Sequence, residues 1–300
     1  MSSHVMMESR HADTFADNTA LMTKTSLREI AVINGGYETP ALNDRLYLHF
    51  KGFRKIENLD EYKNLKALWL DSNGLQRLEN LEHLKSLRCL YLQRNLLSSI
   101  QIGLEGLHNL VQLDLSENRI TIIDGLHCLP CLESLNLSKN LLKSSKTISH
   151  LTLCKRISTL DLSQNNITGE ASFEVLTKIP SLISLHVAGN PVVHEVLHFR
   201  KRMTVEVKQL RFLDSPIFDQ ERMASEAWSK GGKEAELQLK KQLNELKQHE
   251  QRESLQDFRS WLSRKRTKEA EKCRINKVFA AEKSTKCIDI SEIEMDCEHE

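Results

Sequence analysis

Six short stretches of this chain have residue types that do chemistry elsewhere. His194-Glu195-Val196-Leu197-His198 reads H-E-x-x-H. On a continuous helix that spacing sets two imidazoles one turn apart, where they grip zinc while the glutamate serves as a base. No third ligand follows in any recognisable pattern, and the bland reading is two histidines on a half-exposed helix. Cys128-Leu129-Pro130-Cys131 has the spacing of a thiol pair but no second pair, so core-filling or semi-exposed thiols are expected. Gly231-Gly232-Lys233 lacks the earlier glycine and the hydroxyl residue of a phosphate loop. Asn136-Leu137-Ser138 and Asn166-Ile167-Thr168 are glycosylation sequons that matter only on the secretory path. The run Arg264-Lys265-Arg266-Thr267-Lys268 has the charge for nuclear import or an acidic partner, yet charged helices produce such runs routinely. None of these supplies a catalytic set, so the reading is no enzyme, no cofactor and no metal.

The elements that would have to position such groups follow a different rule. The pattern L-x-x-L-x-L-x-x-N-x-L recurs with its asparagine at Asn73, Asn95, Asn118, Asn140, Asn165 and Asn190. An earlier copy has Leu46 and Leu48 as its strand leucines, Lys51 in place of the asparagine and Phe53 closing the turn. Successive spacings are 22, 22, 23, 22, 25 and 25 residues. This is a leucine-rich repeat array, an α/β solenoid with a curved parallel sheet inside and 3₁₀ or helical segments outside. The residue types have physical reasons. A parallel strand ending in a tight turn leaves buried backbone groups unpaired, and an asparagine amide can both donate and accept there. The leucines build a column that no single repeat could bury alone.

Seven repeats leave part of the 300 residues for ends. Residues 1–21 are polar and read as a disordered leader. An N-terminal cap is expected over 22–45, with Ser26-x-x-Glu29 as a capping box, Leu27, Ile30 and Ala31 as the plugging stripe, and Gly35 and Gly36 as the stop. The repeats run over 46–192. The four short ones predict mostly 3₁₀ turns outside, the long ones a helical turn or two, with curvature changing near residue 140. Apolar residues from Val196 to Leu213 predict a C-terminal cap over 193–232, followed by a charged helix over 233–281 and an acidic disordered tail over 282–300. Leu239, Leu243 and Leu246, then Leu255, Phe258 and Leu262, give that helix two heptad-like stretches, too few to specify a coiled coil. A helix that pairs with a partner and a solvated one both remain open.

Formal net charge is +1, so no global pull toward nucleic acid or membrane exists. No apolar signal segment stands at the start, and the seven cysteines lack paired flanking clusters, which sets the expectation of a reducing, intracellular compartment. Function must then lie on surfaces. Strand leucines point inward and the residues between them line the concave face, whose middle column reads Tyr47, Trp69, Tyr91, Asp114, Asn136, Asp161 and His186. Exposed Trp and Tyr on rigid strands are the residue types most enriched at interface hot spots. Two readings stand side by side for Trp69: an anchor for another protein, or a residue covered by the cap or tail of its own chain.

Both ends of the array are similar to one family. Met22-Thr23-Lys24, Thr39-Pro40, Leu42-Asn43-Asp44, LYLHFKGF from Leu46 to Phe53 and the following ALWLDSNGL resemble the N-terminal segment of the dynein axonemal assembly factor 1 family. So do NPV from Asn190, Phe199-Arg200, TVEVKQLRFLD from Thr204 to Asp214, Glu221-Arg222 and EAWSKGG from Glu226 to Gly232 at the other end. The resemblance spans about residues 22–232. It implies a protein of the cytoplasm and cilium, without an active site, that helps preassemble outer and inner dynein arms for motile cilia. Its implied partners are axonemal dynein subunits and other dynein assembly factors, with no nucleic acid and no membrane; oligomeric state stays open. Two other binding modules share parts of the pattern: the leucine-rich regulator of protein phosphatase 1 through repeat length, and a spliceosomal leucine-rich subunit through its C-terminal cap.

Overall fold

The computed structural model describes residues 20–100 and 103–293, the stretch 278–293 by its backbone alone. The expected leader up to residue 19 and tail from residue 294 lie outside the described residues. A boundary between two compact units falls between Ser229 and Lys230.

The first unit is a leucine-rich repeat solenoid. Each repeat contributes one three-residue strand: β1 (Arg45–Tyr47), β2 (Ala67–Trp69), β3 (Cys89–Tyr91), β5 (Gln112–Asp114), β7 (Ser134–Asn136), β8 (Thr159–Asp161) and β9 (Ser184–His186). They pair in parallel and in register, Leu46 beside Leu68, Leu68 beside Leu90, and onward to Leu185. The central leucine of every strand is buried, as is the next leucine or valine two residues on. Each repeat then supplies further apolar residues from its outer turn, such as Leu81, Leu84 and Leu87, so one core runs the length of the array. Burying one such leucine is worth about 2 kcal/mol, which explains why the spacing is so regular.

The asparagine ladder satisfies the turns. In the third repeat Asn95 Nδ2 donates to Leu70 O of the preceding repeat and to Leu92 O of its own, both at 3.0 Å, while Oδ1 accepts from Leu75 N at 3.1 Å. Asn118, Asn140, Asn165 and Asn190 repeat the arrangement, and Asn73 does so against the first repeat. Each amide therefore serves the repeat before it. That accounts for Lys51: the first strand has no predecessor whose carbonyl would need an amide. The residue before each rung is left-handed, with φ between 54° and 57° at Phe50, Ser72, Arg94, Glu117, Lys139 and Gln164, and only Gly189 uses glycine. Such residues cost roughly 1 kcal/mol each, a strain the adjoining amide offsets.

The outer side differs between short and long repeats. In the first three repeats the expected 3₁₀ turns are isolated i to i+3 bonds, such as Leu84 N to Leu81 O at 2.9 Å. Two short strands, β4 (Ser99–Ile100) of the third repeat and β6 (Ile122–Ile123) of the fourth, pair in parallel, and in the fourth the turn is a full 3₁₀ helix, Leu126–Cys128. The long repeats contain α2 (Ser145–Ile148) with a 3₁₀ continuation Ser149–Leu153, then α3 (Glu170–Thr177).

Both ends are plugged. Helix α1 covers Lys24–Ile33 and buries Leu27 and Ala31. Its N-cap is Thr23, three residues before the expected Ser26. Thr23 Oγ1 accepts from Ser26 N at 3.1 Å and Ser26 Oγ accepts from Thr23 N at 3.0 Å. Ser26 is thus the far half of the box, and buried Met22 and Leu27 form the hydrophobic staple across it. At the other end come α4 (Val192–Glu195), α5 (Phe199–Glu206), β10 (Phe212–Leu213) and β11 (Ser215–Pro216). β10 extends the sheet in parallel beside β9, and β11 folds back antiparallel to close it.

Helix α6 runs Asp219–Ile293 with non-helical backbone at Gly231 and Gly232. It begins fourteen residues before the expected start at 233 and continues beyond 281, so residues 282–293 are helical rather than a disordered tail. The reason is compositional: from Lys233 to Ile293 no proline or glycine stops the helix, and acidic residues do not.

Candidate protein-binding surface

Strand alternation places the seven expected residues Tyr47, Trp69, Tyr91, Asp114, Asn136, Asp161 and His186 in one column on the inner face, all half-buried. Their environments divide in two. In the first three strands the column is an aromatic stack. Tyr47 and Trp69 have ring centroids 4.4 Å apart at 23°, and Trp69 and Tyr91 5.1 Å apart at 15°. Trp69 therefore has a tyrosine ring on each face, supplied by neighbouring rungs. Rings that stand up from a sheet with their faces covered offer their edges outward, and the edge is the electropositive part of an aromatic ring. Burial pushes the Tyr91 phenol up, and the Cys89 thiol beside it adds to the shift. Asn34 Nδ2 of the N-terminal cap donates to Tyr47 O at 3.4 Å, bringing the cap to the end of this stack.

From the fourth strand to the sixth the column is polar and engaged with its own backbone. Asp114 Oδ1 accepts from Ser116 N at 2.9 Å and Ser116 Oγ at 2.7 Å. Asn136 Oδ1 holds Ser138 in the same way, and Asp161 Oδ1 holds Ser163. Asn136 Nδ2 also reaches back to Asp114 Oδ2 at 3.2 Å. These are Asx turns that stop each strand where the chain leaves the sheet. His186 leans on Phe212 with centroids 4.8 Å apart. The strands thus bring all seven side chains into one file, and the first three form a continuous aromatic surface whose interactions are not taken up by turn geometry.

Two features escaped sequence reading. Asp214 Oδ1 accepts from Val187 N at 2.8 Å and Ala188 N at 2.9 Å, finishing the last strand as another repeat would. A signal existed, because Leu210-x-x-Leu213 repeats the Leu182-x-x-Leu185 half-pattern, and Leu213 pairs with Leu185. The second is a charged file along the left-handed positions. Glu117 accepts from Arg94 Nε at 3.1 Å and Lys139 Nζ at 3.0 Å, linking three repeats, and these partners hold its carboxyl below the usual range, Lys139 most strongly.

The motifs that suggested chemistry are dispersed. α4 ends at Glu195, and His198 has φ +56° before α5 begins, so the two histidines of H-E-x-x-H do not share a helix and the expected single cap helix is two. Glu195 Oε2 accepts from Gly169 N at 2.8 Å, at the start of α3. His198 lies edge-on to Trp228 at 4.9 Å. Cys128 Sγ donates to Gly125 O at 2.8 Å, and burial pushes its thiol up; Cys154, buried nearby, is pushed up to about 11. Such thiols are poor nucleophiles at neutral pH. Among the described residues no helix is long and apolar enough to cross a membrane.

The repeat file, its amide ladder and its in-register sheet define a leucine-rich repeat protein, and the leucine-rich repeat family profile matches residues 107–243. A solved leucine-rich repeat protein of Leptospira interrogans superposes with a TM-score of 0.50 at 30% identity, covering 59% of this chain and 44% of that one. The chain is 41% identical over 236 residues, 78% of its length, to the dynein axonemal assembly factor 1 homolog of Drosophila pseudoobscura pseudoobscura, of which it covers 15%. It is 41% identical to human dynein axonemal assembly factor 1 over 74% of this chain and 30% of that protein. Identity is also 41% to the leucine-rich repeat-containing protein ODA7 of Chlamydomonas reinhardtii, over 78% of this chain and 54% of that one. Across its repeat region and caps the chain is similar to the dynein axonemal assembly factor 1 proteins at about 40% identity, and it spans between about a seventh and about half of these relatives' lengths.

Proposed function

We propose that this protein is a non-enzymatic scaffold that assists the assembly of axonemal dynein, acting in the cytoplasm and the cilium. Its partners are dynein subunits or other assembly factors, held on the inner face of the array. The observation that carries this reading is the continuous Tyr47, Trp69 and Tyr91 stack on rigid strands, within a region about 40% identical to proteins named for dynein assembly. Pre-ordered aromatic side chains lose little conformational entropy when a partner arrives, so contact area converts to affinity efficiently.

The test is capture from a ciliated-cell lysate with the full chain and with Trp69→Ala. Dynein heavy or intermediate chains should be retained by the first and largely lost by the second. Retention of the protein phosphatase 1 catalytic subunit or of RNA-processing proteins in their place would overturn the assignment. Equal dynein capture by both proteins would remove the aromatic stack from it.

A further inference from the structure

On the outer side of the solenoid, away from the inner column, two successive repeats bring three ligand-type side chains together. Asp124 follows β6, His127 lies in the 3₁₀ helix Leu126–Cys128, and His150 lies in the 3₁₀ helix Ser149–Leu153 of the next repeat. One ligand atom from each falls within 4.8 Å of the other two. We propose that Asp124, His127 and His150 form a zinc-class metal site that clips the fourth repeat to the fifth.

The geometry favours a shared ion over a simple ion pair. His150 Nδ1 stands 3.1 Å from Asp124 Oδ1, yet off the line a hydrogen bond requires, so this solvent-shielded nitrogen has no hydrogen-bond partner. Two donors that sit side by side and do not point at each other can converge on a third centre. With metal–ligand distances near 2.0–2.1 Å, ligand atoms around a tetrahedral zinc are roughly 3.3 Å apart. The Asp124–His150 edge already has that length. His127 is exposed and free to rotate, and its ligand nitrogen lies within 4.8 Å of the other two ligand atoms. The carboxylate is oriented from behind, since Asp124 Oδ1 accepts from Gly125 N at 2.6 Å, the kind of supporting contact that metal ligands require.

The donor set selects the metal class. Two imidazoles and one carboxylate suit zinc and its first-row neighbours, whereas calcium and magnesium take oxygen. A cavity of about 190 Å³ lined by Asp124, His127, Glu105 and Cys128 adjoins two of the three ligands and leaves room for water beside them. Its place in the array has a sequence cause. The 22-residue spacing from Asn118 to Asn140 gives way here to 25 residues from Asn140 to Asn165. The added residues build the outer 3₁₀ helix that contains His150. A metal across this junction would fix the angle between the short-repeat and long-repeat halves.

Untagged, chelator-stripped full-length chain titrated with zinc alone should bind one equivalent, and its thermal midpoint should rise with zinc concentration. His127→Ala, at an exposed position, and Asp124→Asn, which keeps an acceptor for Gly125 N, should each fold and weaken binding about a hundredfold or more. With cobalt in place of zinc, the visible spectrum should lack a thiolate charge-transfer band. Binding that survives both variants unchanged, a thiolate band, or no saturable binding at micromolar zinc would each overturn the site.

Discussion

The first three strands and the next three fill the same inner column by opposite means. Tyr47, Trp69 and Tyr91 stack on one another and place no side-chain bond in the turns, whereas Asp114, Asn136 and Asp161 each spend an oxygen on the chain two residues ahead. The lesson is that a shared position does not imply a shared duty. Polar residues at the strand ends hold the solenoid's own turns, which leaves the aromatic stack as the proposed contact for another protein.

Substitutions that discriminate the halves can break this contrast. The largest effect is expected from Asn140→Ala in the polar half, because its buried amide serves Leu115 O, Leu137 O and Ile120 N. Unpairing buried backbone groups costs ~1–3 kcal/mol each, so urea unfolding should show a loss of about 3 kcal/mol. Asn73→Ala, at a less buried rung beside the aromatic half, should lose clearly less; equal losses would mean that the two halves share one ladder energetics. Trp69→Ala should weaken partner capture by ~2 kcal/mol, roughly thirtyfold, while Asp161→Ala leaves capture unchanged. Unaltered capture by Trp69→Ala together with a lowered melting temperature would reverse the assignment of duties.

Asp161→Ala is instead expected to lower stability by ~1 kcal/mol through the lost turn bonds to Ser163. A melting temperature equal to that of the parent would show that the Asx turns are dispensable. The smallest effect concerns Glu117, whose carboxyl is depressed by Lys139 and Arg94. A folded pKa below the unfolded one makes this contribution present above pH ~4.5 and lost as pH falls through the lower, folded value. After solvent screening it should amount to a few tenths of a kcal/mol. Glu117→Gln should flatten the acid limb of stability against pH by that amount and remove its salt dependence; an identical acid limb would refute the role.

The repeat file could be read directly because burial imposes it residue by residue, and the inner column followed from strand alternation. The sharing of work within that column could not, since Asp114 and Trp69 occupy equivalent positions and differ only in what their neighbours offer. Ser26-x-x-Glu29 matched a capping signature, but Thr23 lies three residues earlier with the same hydroxyl chemistry, and Met22 with Leu27 decided the register by burial. H-E-x-x-H matched a helical spacing that the left-handed His198 breaks. Left-handed Arg94, Glu117 and Lys139 have no glycine to announce them, so their alignment into an ion-paired file was invisible. Asp214 had only the Leu210-x-x-Leu213 half-pattern to announce it, because its partners Val187 and Ala188 lie just after the preceding strand.

Every rung of the asparagine ladder reaches back and none reaches forward, since the amide of Asn95 takes Leu70 O and the amide of Asn190 takes Leu162 O. A chain emerging from the ribosome amino terminus first always meets finished carbonyls when the next asparagine appears. The array can therefore be laid down in the order of its translation, one course upon another, with α1 as its foundation and Asp214 as its coping stone.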